Sequence, residues 1–192
     1  MRRPKVDVDL RPYFKGEEPT THKKTLIVLH ETVSHESPGV GDIKGVAAFM
    51  DSTGLEIHGI VDMEGHSGWA YEPEHVYDHV LGANPQSVGF EQVSDVPFLS
   101  SNAERIKAWD PRGPRRKQLN KVAEWCAWLN QRLGIPLKYT DGSKPGITTH
   151  WDISETFLGG DGHWDCKPKH KGGHYPVLYV VRKAQQIAGA DL

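Results

Sequence analysis

The hydrophobic positions of the chain fall into short runs separated by polar segments, and these runs predict strands. The longest run, TLIVLHETV at 25–33, is continuously apolar and β-branched, which is typical of a central strand buried on both faces. LEIHGIVDMEG (55–65) and SVGFEQV (87–93) predict a second and a third strand, and GITTHWDIS (146–154) indicates a strand end or a loop. The stretch 66–86 is polar and aromatic without a steady period, so we expect a long surface connection there.

Three other segments carry helical spacing. IKGVAAFMDS (43–52) places Val46, Phe49 and Met50 on one side. RKQLNKVAEWCAWLNQRLGIP (116–136) has the clearest apolar stripe, and its glycine and proline predict where the helix stops. A closing helix is expected after Pro176, although VLYVV (177–181) alone would also suit a strand. Because strands alternate with helices, the predicted class is α/β, with a central mixed β-sheet flanked by helices.

Size and composition favour one domain of ordinary character. The chain has 192 residues, which is enough for a single core, and we expect an irregular N-terminal arm at 1–24 followed by one domain at 25–192. With 23 basic against 25 acidic residues there is no basic excess, so we expect no nucleic-acid partner. No apolar run is long enough to insert into a membrane, and no apolar h-region follows the basic start, so we expect no signal peptide. The two cysteines do not make a disulfide framework.

The 11 histidines are the unusual feature of the composition, and some of them stand where a metal ligand would be useful. His30 ends the first strand, although a histidine there could equally be a core residue bonded to a carbonyl. His150 lies in TTHWDIS, where Asp152 could orient an imidazole. Catalytic zinc takes three protein ligands and one water, so two histidines need a third group.

Residues 161–176, DGHWDCKPKHKGGHYP, offer several candidates for that third group. They include Asp165, Cys166 and three histidines, His163, His170 and His174. A hydrolytic site also needs a proton acceptor, and Glu91 in the third strand would suit, although an exposed edge charge explains it as well.

The order of these segments resembles the zinc-dependent N-acetylmuramoyl-L-alanine amidases of the type 2 family, which includes bacteriophage endolysin domains and animal peptidoglycan recognition proteins. The resemblance runs from about Thr25 to Ile187 and rests on LIVLHET, GLEIHGIVDMEG, DHVLGANPQSVGFEQV, the long helix ending RLGIP, and GITTHWDIS with GHWD, in that order. It implies the type 2 amidase fold for residues 25–192.

The resemblance also implies roles for single residues. His30 matches the first zinc ligand and His150 the second, while Glu91 matches an acidic residue near the zinc water. His79, in DHVLGAN, resembles a substrate-contacting histidine, although Asp78 replaces the tryptophan that precedes it in the family.

The third ligand departs from the family pattern. The family uses Asp or Cys followed by Pro-Gly, whereas DCKP offers both residues without that continuation. The family also places a residue that stabilises the oxyanion two positions earlier. With Asp165 as the ligand, that position is His163; with Cys166 as the ligand, it is Trp164, which cannot carry a positive charge. We therefore expect Asp165 to bind zinc and His163 to act on the oxyanion, with Cys166 as the alternative ligand.

The activity implied by the resemblance is zinc-dependent hydrolysis of the amide between N-acetylmuramic acid and L-alanine in peptidoglycan. We expect a monomeric phage lysis enzyme, held in the cytoplasm of the infected host until a holin releases it to the cell wall. One alternative is a non-catalytic peptidoglycan-binding module of the same fold. A metal-dependent phosphoesterase or nuclease is a second alternative, which the missing basic excess disfavours.

Overall fold

The computed structural model describes residues 1–16, 18–19, 21–34, 39–160 and 164–189. Within these residues the chain forms six strands and five α-helices. The strands are β1 (Val8–Asp9), β2 (Leu26–Glu31), β3 (Gly59–Val61), β4 (Ser67–Trp69), β5 (Ser87–Gln92) and β6 (Gly146–Thr149). The helices are α1 (Gly41–Thr53), α2 (Asn102–Ala108), α3 (Arg116–Leu133), α4 (His150–Phe157) and α5 (Val177–Ala188).

The strands form one mixed sheet in the order β1-β4-β3-β5-β2-β6. Strand β2 lies inside the sheet, between β5 and the edge strand β6, and runs parallel to both, and β5 is also parallel to β3. The antiparallel pair is β3 with β4. The predicted α/β class with a mixed central sheet is therefore confirmed.

Strand β2 is buried on both faces, as its continuous hydrophobicity predicts. Successive side chains of a strand point to opposite faces. Ile27 and Leu29 pack in the cluster that contains α3 and α5, whereas Leu26 and Val28 pack against the 66–86 connection and Ile153 of α4. The alternation sends His30 to the α4 side and Glu31 to the α3 side.

Helix α3 provides more of the core on its side of the sheet than any other helix. Its apolar stripe buries Leu119, Val122 and Trp125, and Gly134, whose φ of 72° suits glycine, caps its carboxyl end. This confirms the predicted helix, with its end at Leu133. Helix α5 packs against α3. No helix among the described residues has the length and apolar character required to cross a membrane.

Three local predictions differ from the structure. The arm is not wholly irregular, because β1 pairs with β4 and Leu10 and Phe14 are fully buried in the cluster beneath α1. The 66–86 connection contains β4 and buries Tyr77 and Val80, so it is not purely a surface loop. His150 begins α4 directly after β6. The domain division at residue 24 stays a prediction.

Candidate metal centre and catalytic cleft

Two neighbouring strands deliver side chains to the same face of the sheet at their carboxyl ends. In the parallel register, His30 of β2 lies beside Glu91 of β5. Both point to the α4 side, and Glu91 shares that face with Ser87 and Gly89, four and two positions earlier. The crevice beyond the carboxyl ends of parallel strands is where open α/β sheets bind ligands.

His150 and Asp165 reach the same point from outside the strands. His150 is the first residue of α4, whose start is fixed by Thr149, because the Thr149 side chain accepts from the Asp152 backbone N–H. The Asp165 carbonyl accepts from the Trp151 N–H at 3.1 Å, which holds the two segments together.

The Asp165 carboxylate lies between the two histidines. Its Oδ2 is 3.3 Å from His30 Nδ1 and 3.1 Å from His150 Nδ1. Its Oδ1 accepts from the backbone N–H of Glu31. The carboxylate is thus oriented by groups on β2 and α4.

The donor set fits a zinc ion. One ligand atom from each of His30, His150 and Asp165 lies within 4.8 Å of the others, and this is the one such metal-binding group found in the described part of the chain. Zn–N and Zn–O bonds of about 2.0–2.1 Å in a tetrahedral arrangement put ligand atoms about 3.3 Å apart. Two imidazoles and one carboxylate leave a fourth position open, as in catalytic zinc sites.

Cys166 is not a member of this group. Its side chain is fully buried in the core cluster with α3 and α5, and its Sγ lies 3.8 Å from the Gln92 Nε2. Burial, together with the charge of Asp165, raises the pKa of the Cys166 thiol, which disfavours the thiolate that a metal requires. The structure therefore brings Asp165, and not Cys166, to the two histidines.

The two buried carboxyl groups of the site have opposite pKa shifts. Burial opposes ionisation of Asp165, but the hydrogen bonds of His150 and His30 outweigh it and hold the pKa of Asp165 below its usual value. Burial raises the pKa of Glu91 well above its usual value, and the charges of Asp165 and Glu31 raise it further. Carboxyl groups with diverging pKa values are a common feature of acid–base sites.

His79 lies directly behind His30. Its Nδ1 is 3.0 Å from His30 Nε2, and its Nε2 is 3.0 Å from Ser87 Oγ. Burial and the neighbouring His30 and His58 lower the pKa of His79 well below its usual value. His58 itself is fully buried, and its ring bonds to the Gly89 N–H and the His75 carbonyl.

A cavity of 990 Å³ opens beside the metal group and is bordered by His30, His79, Glu91, His150 and Asp165. Its remaining wall is largely apolar and includes Val46, Phe49 and Met50 of α1 together with Leu81 and Trp164. Phe49 is 65% exposed and Leu81 is 71% exposed although they flank this cavity. An apolar pocket with a few converging polar groups is typical of a ligand site.

Three further residues were considered for the site from the sequence: His163, Asp152 and His170. His163 lies outside the described residues. Asp152 does not orient an imidazole, because its carboxylate accepts from Thr149, Tyr139 and Lys171. His170 contacts the Tyr139 ring, at 4.6 Å between centroids.

The structure also contains a buried hydrogen-bond network around Glu31, behind the metal group, which the sequence did not predict. The Glu31 carboxylate accepts from Ser94 Oγ at 2.8 Å and from Trp109 Nε1 at 2.8 Å, and it lies 2.7 Å from His174 Nε2. These residues come from four separate segments, and no local pattern marks them. The orientation of Ser87, by contrast, can be predicted from the sequence, because strand alternation places its side chain on the same face as that of Glu91.

Comparison with known proteins agrees with this geometry. The profile of a family described as N-acetylmuramoyl-L-alanine amidase matches residues 20–169. No curated protein matches the chain by sequence.

Three solved structures illustrate the shared fold. The hydrolase AmiA of Staphylococcus aureus, in complex with its ligand, is 20% identical with a TM-score of 0.68, over 99% of this chain and 88% of that one. The endolysin of the Thermus scotoductus bacteriophage Ph2119 is 14% identical with a TM-score of 0.57, over 92% and 97%. The endolysin amidase LysCS of Clostridium intestinale is 14% identical with a TM-score of 0.55, over 95% and 96%.

The matched segment contains both histidines of the metal group, Asp165 and Glu91, and it spans most of the described sheet. The chain belongs to the N-acetylmuramoyl-L-alanine amidase family.

Proposed function

We propose that this chain is a zinc-dependent amidase that cleaves the bond between the lactyl group of N-acetylmuramic acid and the L-alanine of the stem peptide. His30, His150 and Asp165 would hold the zinc. The observation that carries the proposal is the convergence of these three side chains, at a spacing that suits zinc, on the edge of a large cavity.

When bound, zinc supplies Lewis-acid chemistry that activates water near neutral pH and withdraws electrons from a carbonyl. Glu91 borders the cavity beside His30 and is placed to accept a proton from the attacking water. The C–N bond breaks as that proton passes to the departing L-alanine nitrogen, which leaves a free amine and a lactyl carboxylate. We assign the hydrogen bond to the developing oxyanion to His163. His79 lines the cavity, and we assign to its ring a van der Waals contact with the substrate without a hydrogen bond.

The test is zinc analysis combined with digestion of purified peptidoglycan. We expect one zinc per chain and release of intact stem peptides, seen as new L-alanine amino termini by mass spectrometry. His30→Ala and Asp165→Ala should lose both zinc and cleavage, while His170→Ala, at a histidine away from the metal group, should retain both.

The same assay separates the enzyme from a binding module. Stoichiometric zinc and peptidoglycan binding without cleavage of any tested wall would make the chain a recognition module and overturn the proposal. New reducing ends without new amino termini would indicate that a glycosidic bond is cut instead.

We further propose that the enzyme acts in phage lysis and is monomeric. It would remain in the host cytoplasm until a holin releases it to the cell wall. Two of the structurally similar chains are described as endolysins, which supports this role. Expression in a bacterial host should leave cells intact until a holin is co-expressed, and then the turbidity should fall. Lysis without a holin would contradict the proposed release step, and a dimer in sedimentation analysis would contradict the monomer.

A further inference from the structure

The imidazole of His79 and the hydroxyl of Ser87 form a hydrogen-bonded series that ends on His30. We propose that this pair fixes the tautomer and ring orientation of His30, so that Nδ1 is the atom presented to the metal. The inference rests on the proposed metal role of His30 and makes His79 a positioning residue.

The direction of the series is set at Ser87. Its Oγ is 2.8 Å from the Ala83 carbonyl oxygen, which can only accept, so the single hydroxyl hydrogen is directed there. Ser87 Oγ must therefore accept from the next group, His79 Nε2, at 3.0 Å. The neutral His79 ring then carries its hydrogen on Nε2 and a lone pair on Nδ1.

The lone pair on His79 Nδ1 decides which ring nitrogen of His30 carries the hydrogen. His79 Nδ1 is 3.0 Å from His30 Nε2, so His30 Nε2 must be the donor. A neutral His30 then has its lone pair on Nδ1, and Nδ1 is the atom that faces Asp165 Oδ2 at 3.3 Å. A metal-binding histidine usually donates its other ring N–H to a partner that fixes the tautomer. Here the partner is a second histidine instead of the more usual carboxylate or carbonyl.

The backbone around His79 keeps its ring in place. A Cβ added at Gly89 would lie 2.5 Å from His79 Nδ1, so the ring occupies space over β5 that only glycine leaves open. The Asn84 side chain accepts from the backbone N–H groups of His79 and Val80, at 3.2 and 2.7 Å. The ring also meets His30 edge-on, at 5.1 Å between centroids.

Both ring nitrogens of His79 therefore have partners within the protein. A direct hydrogen bond from this ring to substrate would require one of those partners to be exchanged. The geometry instead lets His79 act through His30, on the metal group.

Three variants test the series. His79→Leu removes the acceptor, and His79→Gln keeps a carbonyl oxygen able to accept from His30 Nε2. Gly89→Ala keeps every hydrogen-bonding group and displaces the ring. His170→Leu, an exposed histidine whose ring contact is with Tyr139, is the matched control.

Two readouts are needed, neither of which is catalytic activity. The first is the zinc dissociation constant from competition with a chromophoric chelator; His79→Leu and Gly89→Ala should weaken binding about 10–100-fold, with partial rescue in His79→Gln. The second is nitrogen-15 NMR of histidine-labelled, zinc-free protein at about pH 8. The His30 Nε2–H form should dominate in the unmodified protein and be lost in His79→Leu.

The inference is overturned if folded His79→Leu keeps zinc binding within a factor of two and retains the Nε2–H form of His30. If His79→Leu does not fold, Ser87→Ala and Gly89→Ala report the same two quantities. Failure of zinc binding in the unmodified protein would sink the proposed metal function, yet the zinc-free NMR measurement would still decide the tautomer. Zinc binding without amide cleavage would sink the amidase proposal alone.

Discussion

A left-handed backbone at Cys166 separates two adjacent side chains that are both chemically able to bind zinc. Its φ of 55° is the one positive value at a non-glycine residue among those the structure describes. Such a conformation costs roughly 1 kcal/mol for an ordinary side chain. The turn sends the thiol into the core and leaves the carboxylate of Asp165 with the histidines.

Exchanging each member of this pair should have different effects. Asp165→Ala should weaken zinc binding by more than the roughly 10–100-fold that changes outside the ligand set cause. Cys166→Ser should keep zinc and lower the free energy of unfolding by about 1–3 kcal/mol, because a hydroxyl replaces a buried thiol. Chelator competition and denaturant unfolding measure the two effects. Loss of zinc in Cys166→Ser alone would assign the third ligand to the cysteine.

Glu91 allows the metal role to be separated from the chemistry. Glu91→Gln keeps the size of the side chain but removes the proton acceptor, so we expect zinc content to be unchanged and cleavage to fall about 10²–10⁴-fold. The rate of stem-peptide release under saturating peptidoglycan is the measurement. A rate within threefold of the unmodified protein would remove Glu91 from the mechanism.

At this scale the sequence predicts the residues that stand at strand ends or in family motifs. His30, His150, Asp165 and Glu91 were named in that way, and the structure brings all four to one cavity. The partners of His79 were not predictable, because its contact with Ser87 depends on how the 66–86 connection folds over β5.

Side-chain contacts hold the segment after Asp165 against β2, β5 and α4. His174 bonds to Glu31, Tyr175 donates to Gln92 at 2.7 Å, and Lys171 pairs with Asp152 at 2.8 Å. Glu31 is the central member, since its backbone N–H also donates to Asp165.

Removing His174 should loosen this segment. His174→Leu leaves the buried Glu31 carboxylate with one donor fewer, so we expect the free energy of unfolding to fall by about 1–3 kcal/mol. A double-mutant cycle with Glu31→Gln, followed by denaturant unfolding, should show coupling. Additive effects would mean that the 2.7 Å contact contributes nothing.

Lys24 lies just before β2, and its ammonium group joins the 66–86 connection to the start of β5. Its Nζ donates to the carbonyls of His75 and Ser87, at 2.8 and 2.9 Å, and burial lowers its pKa to about 8. The unfolded chain, with a lysine pKa of about 10.4, binds more protons than the folded chain between these values.

The free energy of unfolding should therefore contain a Lys24 contribution that rises as the pH increases from about 8 to about 10.4. One pKa unit corresponds to about 1.4 kcal/mol, so the rise is at most about 3 kcal/mol. Lys24→Met should remove this part of the pH profile. Parallel profiles for the two proteins would show that the lysine keeps its ordinary pKa when folded.

The sequence predicts the position of an element when its hydrophobic pattern is long and regular, and it misses elements that have no such pattern. Strand β2 and helix α3 carry enough apolar residues in sequence to be recognised. Strands β1 and β4 have two and three residues, and their pairing is a tertiary contact that no local pattern encodes.

At the scale of the whole molecule, the predicted arm contributes Val8, Leu10 and Phe14 to the core. Phe14 is fully buried in the cluster that also holds Ile43 and Tyr77. Phe14→Ala should lower the free energy of unfolding by about 3–5 kcal/mol, whereas Tyr13→Ala, at a partly exposed neighbour, should cost less. Equal and small losses would indicate that the arm is detachable, as the predicted division at residue 24 implies.

The proposed metal ligands lie far apart along the chain, at residues 30, 150 and 165. During synthesis the amino-terminal histidine leaves the ribosome long before its two partners, so the site cannot close until most of the domain has emerged. Under the proposed function, metal binding would thus be a late event that requires a nearly complete fold. An ion bound only by the finished structure stabilises it by mass action, about 2.7 kcal/mol at one hundred times the dissociation constant.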